Sequence, residues 1–239
     1  MRGRIGWATG KTAATDERIA RGVEKRRGVP RGMYRRHREA LGIGVDAPQG
    51  AQFVGEEQWH AYAYLLGMYL GDGYLAGLPR SCRLEISLDA KYPALVDSCE
   101  GVMRLVWPGH NVARLERTGC VVLYSYGWRW LALFPHHGPG RKHERKIALL
   151  DWQRAIVDMC PVDFLGGLVD SDGCRSVRHQ DGKDYPFYSF DNRSLDILSL
   201  FCETCDKLGV HYSRPKVQTV SVARRADVAY LDSVLARKS

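Results

Sequence analysis

One nine-residue pattern occurs twice in this chain. Leu65-Leu66-Gly67-Met68-Tyr69-Leu70-Gly71-Asp72-Gly73 and Leu165-Gly166-Gly167-Leu168-Val169-Asp170-Ser171-Asp172-Gly173 lie 100 positions apart. Self-similarity of this kind implies two similar structural units. Each copy reads as a short apolar helix ending in Asp-Gly. Gly67 and Gly71, like Gly167 and Ser171, are four residues apart and share one helix face. Small side chains on such a face let two helix backbones approach closely. The closing glycine suits a left-handed residue that stops the helix abruptly.

The aspartate before that glycine sits at a helix C-terminus, where partial negative charge makes a carboxylate unfavourable. If the two helices pack side by side, Asp72 and Asp172 also face each other, and nearby carboxylates resist joint ionisation. A divalent cation between them offsets both costs. Mg²⁺, or Mn²⁺ in its place, takes oxygen ligands from carboxylates, water and phosphate. The carbonyls of Gly71 and Ser171, left over at the helix ends, are further candidate ligands. This is the donor set of a metal-assisted phosphodiester hydrolase.

Charge points to the same class of partner. Residues 1–45 hold 12 Lys/Arg and four acidic residues, so the entire net charge of +8 lies there. A basic arm suits a polyanion, most simply nucleic acid. The seven cysteines are scattered and odd in number, so a reducing cytoplasm is expected rather than a disulfide framework. No apolar run reaches the length of a membrane helix, and no apolar stretch follows Met1-Arg2-Gly3-Arg4, so neither a membrane partner nor a signal peptide is expected.

The chain divides into a basic arm and linker (1–50), a first half (55–150) and a second half (151–239). In the first half, periodicity predicts a helix over 56–72, strands over 74–78 and 82–88, and a helix over 93–107. A hairpin around Thr118-Gly119 (112–117 and 121–126) and a short helix over 128–134 follow. A basic Gly/Pro-containing connection spans 135–146. The second half repeats the order: helices over 147–160 and 162–172, then strands over 175–179 and 187–190. A helix capped by Asn192 or Ser194 runs to 208, followed by strands over 210–216 and 219–224 and a helix over 226–236. Each half thus reads αββαββα, an α+β class.

These residues resemble the LAGLIDADG homing endonucleases of the single-chain, two-motif type. Leu165–Gly173 fits the motif closely, and Leu65–Gly73 fits with Leu70 replacing the motif's first aspartate. The stretches Leu131–His143 and Ser221–Asp232 are similar to an actinobacterial group of two-motif LAGLIDADG proteins. The resemblance implies two pseudo-symmetric halves whose β-sheets form a saddle on double-stranded DNA, with the motif helices packed at the centre. It implies a monomer that needs no protein partner. Asp72 and Asp172 become the catalytic, metal-binding residues for cutting both strands with short 3′ overhangs. A DNA-binding regulator that does not cut, and an RNA-splicing maturase, are the alternatives on the same fold.

Strand alternation nominates Arg83, Glu85, Arg114, Glu116, Tyr124, Tyr126, Arg175, Arg214, Lys216 and Gln218 for base and phosphate contacts. A basic residue beside the metal, as the resemblance implies, is to be found among Arg117, Arg129, Lys216, Arg224 and Arg225. Cys202-Glu203-Thr204-Cys205 lacks a second ligand pair for zinc and is assigned to a helix core. The histidines 136, 137 and 143 are assigned to a basic hinge that touches phosphate.

Overall fold

A computed structural model describes residues 53, 55–78, 81–138 and 140–235. The basic arm lies outside them. The first half runs α1 (Glu56–Asp72), β1 (Gly73–Leu78), β2 (Ser81–Asp89), α2 (Pro93–Val106), β3 (Ala113–Arg117), β4 (Cys120–Tyr126) and α3 (Arg129–Leu133). A 3₁₀ turn, Lys142–Glu144, and helix α4 (Asp151–Met159) connect the halves. The second half runs α5 (Pro161–Asp172), β5 (Gly173–Gln180), β6 (Lys183–Asp191), α6 (Leu195–Lys207), β7 (Ser213–Lys216), β8 (Thr219–Val222) and α7 (Arg225–Val234). Each half is αββαββα, and each holds one antiparallel sheet, ordered β1-β2-β4-β3 and β5-β6-β8-β7.

The two sheets correspond strand for strand. Gly73 pairs with Ile86 as Gly173 pairs with Phe190, and Ile86 then meets Leu123 as Phe190 meets Val220. Ile86, Leu84, Leu123, Phe190, Val220 and Val222 turn to the helices and are buried. The opposite face of each sheet carries the polar residues, the alternation expected of a half-covered sheet.

At the centre, α1 packs along α5. From Leu65 to Leu70 every residue is buried, as is every residue from Phe164 to Asp170. Neither helix therefore has a polar face over this stretch, as expected of helices enclosed on all sides. The glycines set their separation. A Cβ on Gly167 would fall 2.1 Å from the Tyr64 carbonyl oxygen, and one on Gly67 would fall 2.5 Å from that of Phe164. Backbone meets backbone at this crossing.

Three local expectations are corrected. Gly73 (φ −85°) and Gly173 (φ −94°) are extended, not left-handed. Each is the first residue of a strand that leaves the helix without a turn, and a Cβ there would fall 2.5 Å from Tyr69 Cα or 2.7 Å from Val169 Cα. Glycine is needed for room, not for a positive φ. The second-half hairpin is longer than its apolar pattern. Asp181 (φ 52°) and Gly182 (φ 70°) close it as a tight turn of the primed kind. Pro186 is tolerated in β6 because it lies outside the stretch that pairs with β8. Finally, 147–150 is not helical: Ile147 N–H donates to Asp196 Oδ2 at 2.7 Å, and α4 begins only at Asp151.

Candidate metal centre and nucleic-acid face

Helices α1 and α5 end side by side, which brings the two motif aspartates to one place. A Cβ on Gly71 would lie 2.2 Å from Ser171 Oγ and 2.9 Å from Asp172 Oδ2. Ser171 Oγ donates back to the Gly167 and Leu168 carbonyls at 3.0 and 2.9 Å. Asp72 and Asp172 are both half-buried. Asn192 Nδ2 donates to Asp172 Oδ2 at 2.7 Å, while its Oδ1 accepts from Ser194 N–H at 2.7 Å. The amide is thus oriented at both ends. Ser194 in turn caps α6 through Ile197 N–H.

Of the basic residues that line this groove, Lys142, from the connection between the halves, reaches the helix terminus itself. Its Nζ donates to the carbonyls of Tyr69 (2.5 Å), Leu70 (3.1 Å) and Gly71 (2.7 Å), the open C-terminal end of α1. Burial pushes its ammonium down to about 8, opposed by the attraction of Asp172 and Asp72 and helped by repulsion from Arg145. Arg145 shapes the loop that delivers it, donating to the carbonyls of His136, Gly138 and Gly140. None of the five basic residues nominated from sequence takes this role. Arg129 is half-buried and lies over the rings of Phe53 and Trp107, each 5.7 Å away. Arg117 ends β3, Lys216 ends β7, and Arg224 and Arg225 begin α7. The available signal was the Arg141-Lys142-His143 run within the stretch that carries the resemblance.

An open groove of about 520 Å³ lies over this end, lined by Gly71, Lys142, Asp172 and Asn192 among others. The donors at this end fit a hard divalent cation of the Mg²⁺ kind: the Asp172 carboxylate in the groove and that of Asp72 at the adjacent helix end, with room for water and phosphate oxygens. Among the described residues no group of three or more His, Cys, Asp or Glu side chains is placed to hold a metal, so oxygens other than side-chain carboxylates must complete the shell. Of the two carbonyl candidates, the Gly71 oxygen already accepts from Lys142.

The nominated strand residues fall on two different faces. Arg83, Glu85, Tyr124 and Tyr126 share the sheet face turned away from the helices, as does Arg117. Arg83 donates to Glu85 at 2.7 Å and lies over both tyrosine rings. Lys216 shares a face with Thr219 and flanks a second groove with Asn192 and Gln218. Arg214 donates to the Val217 carbonyl within its own turn. Three others are in the opposite phase. Arg114 stands opposite Leu123 and binds Asp97 and Glu100 of α2. Glu116 stands opposite Val121, again on the helix side. Arg175 stands opposite buried Tyr188 and grips Asp232 of α7 with two bonds, holding that carboxyl below its usual range. The alternation was assigned correctly within these strands but one residue out of phase with the core.

Two other assignments were made from sequence. Cys202 and Cys205 are buried in α6, in the core. His136 is buried, and burial pushes it down to about 4, so it is a neutral interior group and no phosphate contact. No helix among the described residues is long and apolar enough to cross a membrane.

The motif difference at Leu70 has a partner. Tyr64 Oη donates to Asp170 Oδ2 at 2.8 Å, and both side chains are buried. In the repeat, Tyr64 corresponds to Phe164 and Asp170 to Leu70. A phenol from the first half and a carboxyl from the second thus pair across the seam, and the equivalent positions, Phe164 and Leu70, are both apolar.

No protein-family profile matches the chain, and no curated protein matches it in sequence. Solved structures do match. A glycine-to-serine variant of I-DmoI, in complex with its target DNA in the presence of Mg, aligns with TM-score 0.55 and 13% identity over 77% of this chain and 100% of that one. I-DmoI in complex with DNA and Mn aligns with TM-score 0.54 and 14% identity over 74% and 97%. The N-terminal LAGLIDADG domain of DUF199/WhiA aligns with TM-score 0.49 and 13% identity over 79% and 88%. The chain therefore carries the two-half LAGLIDADG fold of the homing endonuclease I-DmoI.

Proposed function

We propose that this chain is a metal-dependent endonuclease that cuts both strands of a specific DNA site, with Asp72 and Asp172 as the metal-binding carboxylates. One observation carries the reading. Two carboxylates of an internally repeated motif end neighbouring helices and act on the same lysine, and Asp172 lines an open groove there. Mg²⁺ or Mn²⁺ bound there would polarise phosphate and lower the pKa of bound water. Asn192 holds the orientation of Asp172. Lys142 brings a positive charge to where charge develops on phosphate. DNA-bound I-DmoI structures with Mg and Mn, on the same fold, support a divalent metal and DNA as ligands.

DNA would lie on the helix-free sheet faces. Arg83, Tyr124, Tyr126 and Arg117 on the first sheet, and Arg178 and Lys216 on the second, offer phosphate and base-edge contacts there. The +8 arm adds salt-sensitive affinity of low specificity. Both carboxylates belong to one chain, so a monomer suffices.

A second reading, a DNA-binding protein that does not cut, is favoured by a different observation: Lys142 already places a cation on the α1 carbonyls. Incubation with Mg²⁺ and a complex pool of duplex DNA separates the two. Cleavage at a recurring site, lost in Asp72→Asn and in Asp172→Asn, supports the nuclease. Tight selection of one sequence with no cleavage by the wild type overturns it in favour of the second reading.

A further inference from the structure

Lys142 is oddly employed for a residue that serves phosphate alone. Its Nζ lies within 3.1 Å of three consecutive carbonyl oxygens at the C-terminus of α1. All three are among the last four carbonyls of the helix, the ones a helix leaves open; the Tyr69 oxygen also accepts from Gly73 N–H. A helix C-terminus attracts cations, and this one lies in the field of two carboxylates as well. Helix α1 has no basic residue in its own last turn, and neither has α5. The charge comes instead from more than 70 residues away, on a loop held by three bonds from Arg145.

We propose that the Lys142 ammonium is a built-in cation that stands in for a metal at the motif-helix seam, so that a divalent ion using the Gly71 carbonyl must displace it. The inference rests on the metal site proposed above and assigns its competitor. It has two consequences. The helix pair and its aspartates stay assembled without metal, because the ammonium neutralises the negative end they share. Metal binding is then weakened by the loss of the lysine's three hydrogen bonds and by repulsion from its charge. Phosphate arriving with DNA gives the displaced ammonium a new anionic partner, which couples metal uptake to DNA binding.

Mn²⁺ binding to the full chain, followed by electron paramagnetic resonance without DNA, tests this. Lys142→Met is expected to bind Mn²⁺ at least about tenfold more tightly than the wild type, since a positive charge a few ångströms away is removed. Addition of Asp172→Asn should abolish the gain. Melting of Lys142→Met should fall below the wild type without metal and recover with Mn²⁺, while wild-type melting hardly responds. Mn²⁺ binding by Lys142→Met that is equal to or weaker than wild type, or a gain that survives Asp172→Asn, overturns the proposal.

If Lys142→Met folds only with Mn²⁺ present, the ion is replacing the ammonium, which supports it. If that variant folds in neither buffer, Lys142→Gln is read by the same criteria. The wild type gives an independent reading through its lysine ammonium NMR signals. A slowly exchanging ammonium resonance should shift or vanish on saturation with Ca²⁺, and one unmoved at saturation refutes the displacement. The two readings fail separately. Absence of cleavage with Mg²⁺ removes the nuclease and leaves the Mn²⁺ result standing, whereas Mn²⁺ affinity indifferent to Lys142 removes the tethered cation and leaves cleavage standing.

Discussion

Two adjacent glycines offer a sharp test of the helix seam. Gly166 and Gly167 both lie inside α5, where each costs about 1 kcal/mol relative to alanine in helix propensity. They differ in what a methyl group would meet. At 166 its nearest neighbours are Leu235 Cδ2 at 3.4 Å and Tyr64 Cδ2 at 3.7 Å, close to ordinary contact and against side chains. At 167 it would meet Tyr64 O at 2.1 Å, Met68 N at 2.9 Å and Gly67 Cα at 3.0 Å, all backbone. Relief at 167 requires α1 and α5 to separate along their most buried stretch. Gly166→Ala should therefore lie between neutral and about 1 kcal/mol more stable. Gly167→Ala should cost about 3 kcal/mol or more, the upper end of overpacking. For a domain of this size that corresponds to melting about 6–12 °C lower. Thermal melts by circular dichroism, supported by urea denaturation, measure both. Equal melting temperatures for the two variants would refute the backbone-contact seam, and a stable Gly167→Ala beside an unstable Gly166→Ala would place the seam on the wrong face.

The buried Tyr64–Asp170 pair predicts a non-additive cycle. Tyr64→Phe should cost about 1–3 kcal/mol by removing a hydrogen bond from a buried carboxyl, whereas Tyr64→Phe with Asp170→Leu, which copies the pseudo-symmetric Phe164 and Leu70, should cost less than the two single changes together; additive losses in urea denaturation would contradict it. The two strand faces predict opposite phenotypes. Arg83→Ala and Lys216→Ala should each weaken DNA binding and reduce its salt slope by about 1, while Arg114→Ala and Arg175→Ala leave the slope unchanged and lower the melting temperature only slightly; the reverse pattern in binding titrations would put DNA on the helix side. His60 bonds Asp163 at 2.6 Å across the other end of the helix pair, and that hydrogen bond raises its pKa above 6.5. A raised histidine stabilises the fold below its unfolded pKa, and the benefit disappears as pH rises through the folded value. The melting difference between wild type and His60→Ala should thus be largest near about pH 5.5 and shrink toward about pH 8, and a pH-independent difference would remove His60 from the account.

Much of this fold is legible because its signals are local. The apolar runs of the motif helices, the small residues four apart and the Thr118-Gly119 turn each act within a few residues. What escaped the sequence was long-range. Lys142 reaches α1 across more than 70 residues, and neither its neighbours nor its spacing reveal the three carbonyls it will meet. The phase of β3 and β5 failed for a related reason. Arg114 and Arg175 look solvent-facing because they are charged, yet each sits on the helix side, where a carboxylate from α2 or α7 receives it at the sheet margin. The distal parts of β5 and β6 were missed because they extend past the helices that cover the sheet. With both faces exposed they carry no apolar alternation, and only Asp181-Gly182 marks their turn.

Comparison of the two halves separates two kinds of divergence. At the interface the differences come in matched sets: Tyr64 with Asp170 on one side, Phe164 with Leu70 on the other. A polar pair exchanged for an apolar pair keeps the interior satisfied, since replacing both partners avoids the cost of stranding one. Leu70 in place of the motif's first aspartate is therefore a packing exchange. The difference beside the aspartates is of another kind. Register equates Ile86 with Phe190, and hence Leu88 with Asn192. Asn192 orients Asp172, while Leu88 is buried and offers no donor. Lys142, in turn, is bonded to the end of α1 that carries Asp72. One aspartate is held by an amide from its own half, and the other ends a helix capped by a lysine from the connecting loop. The repeat thus preserves the two carboxylates and their seam, yet it surrounds them with different chemistry, so Asp72→Asn and Asp172→Asn are not equivalent substitutions.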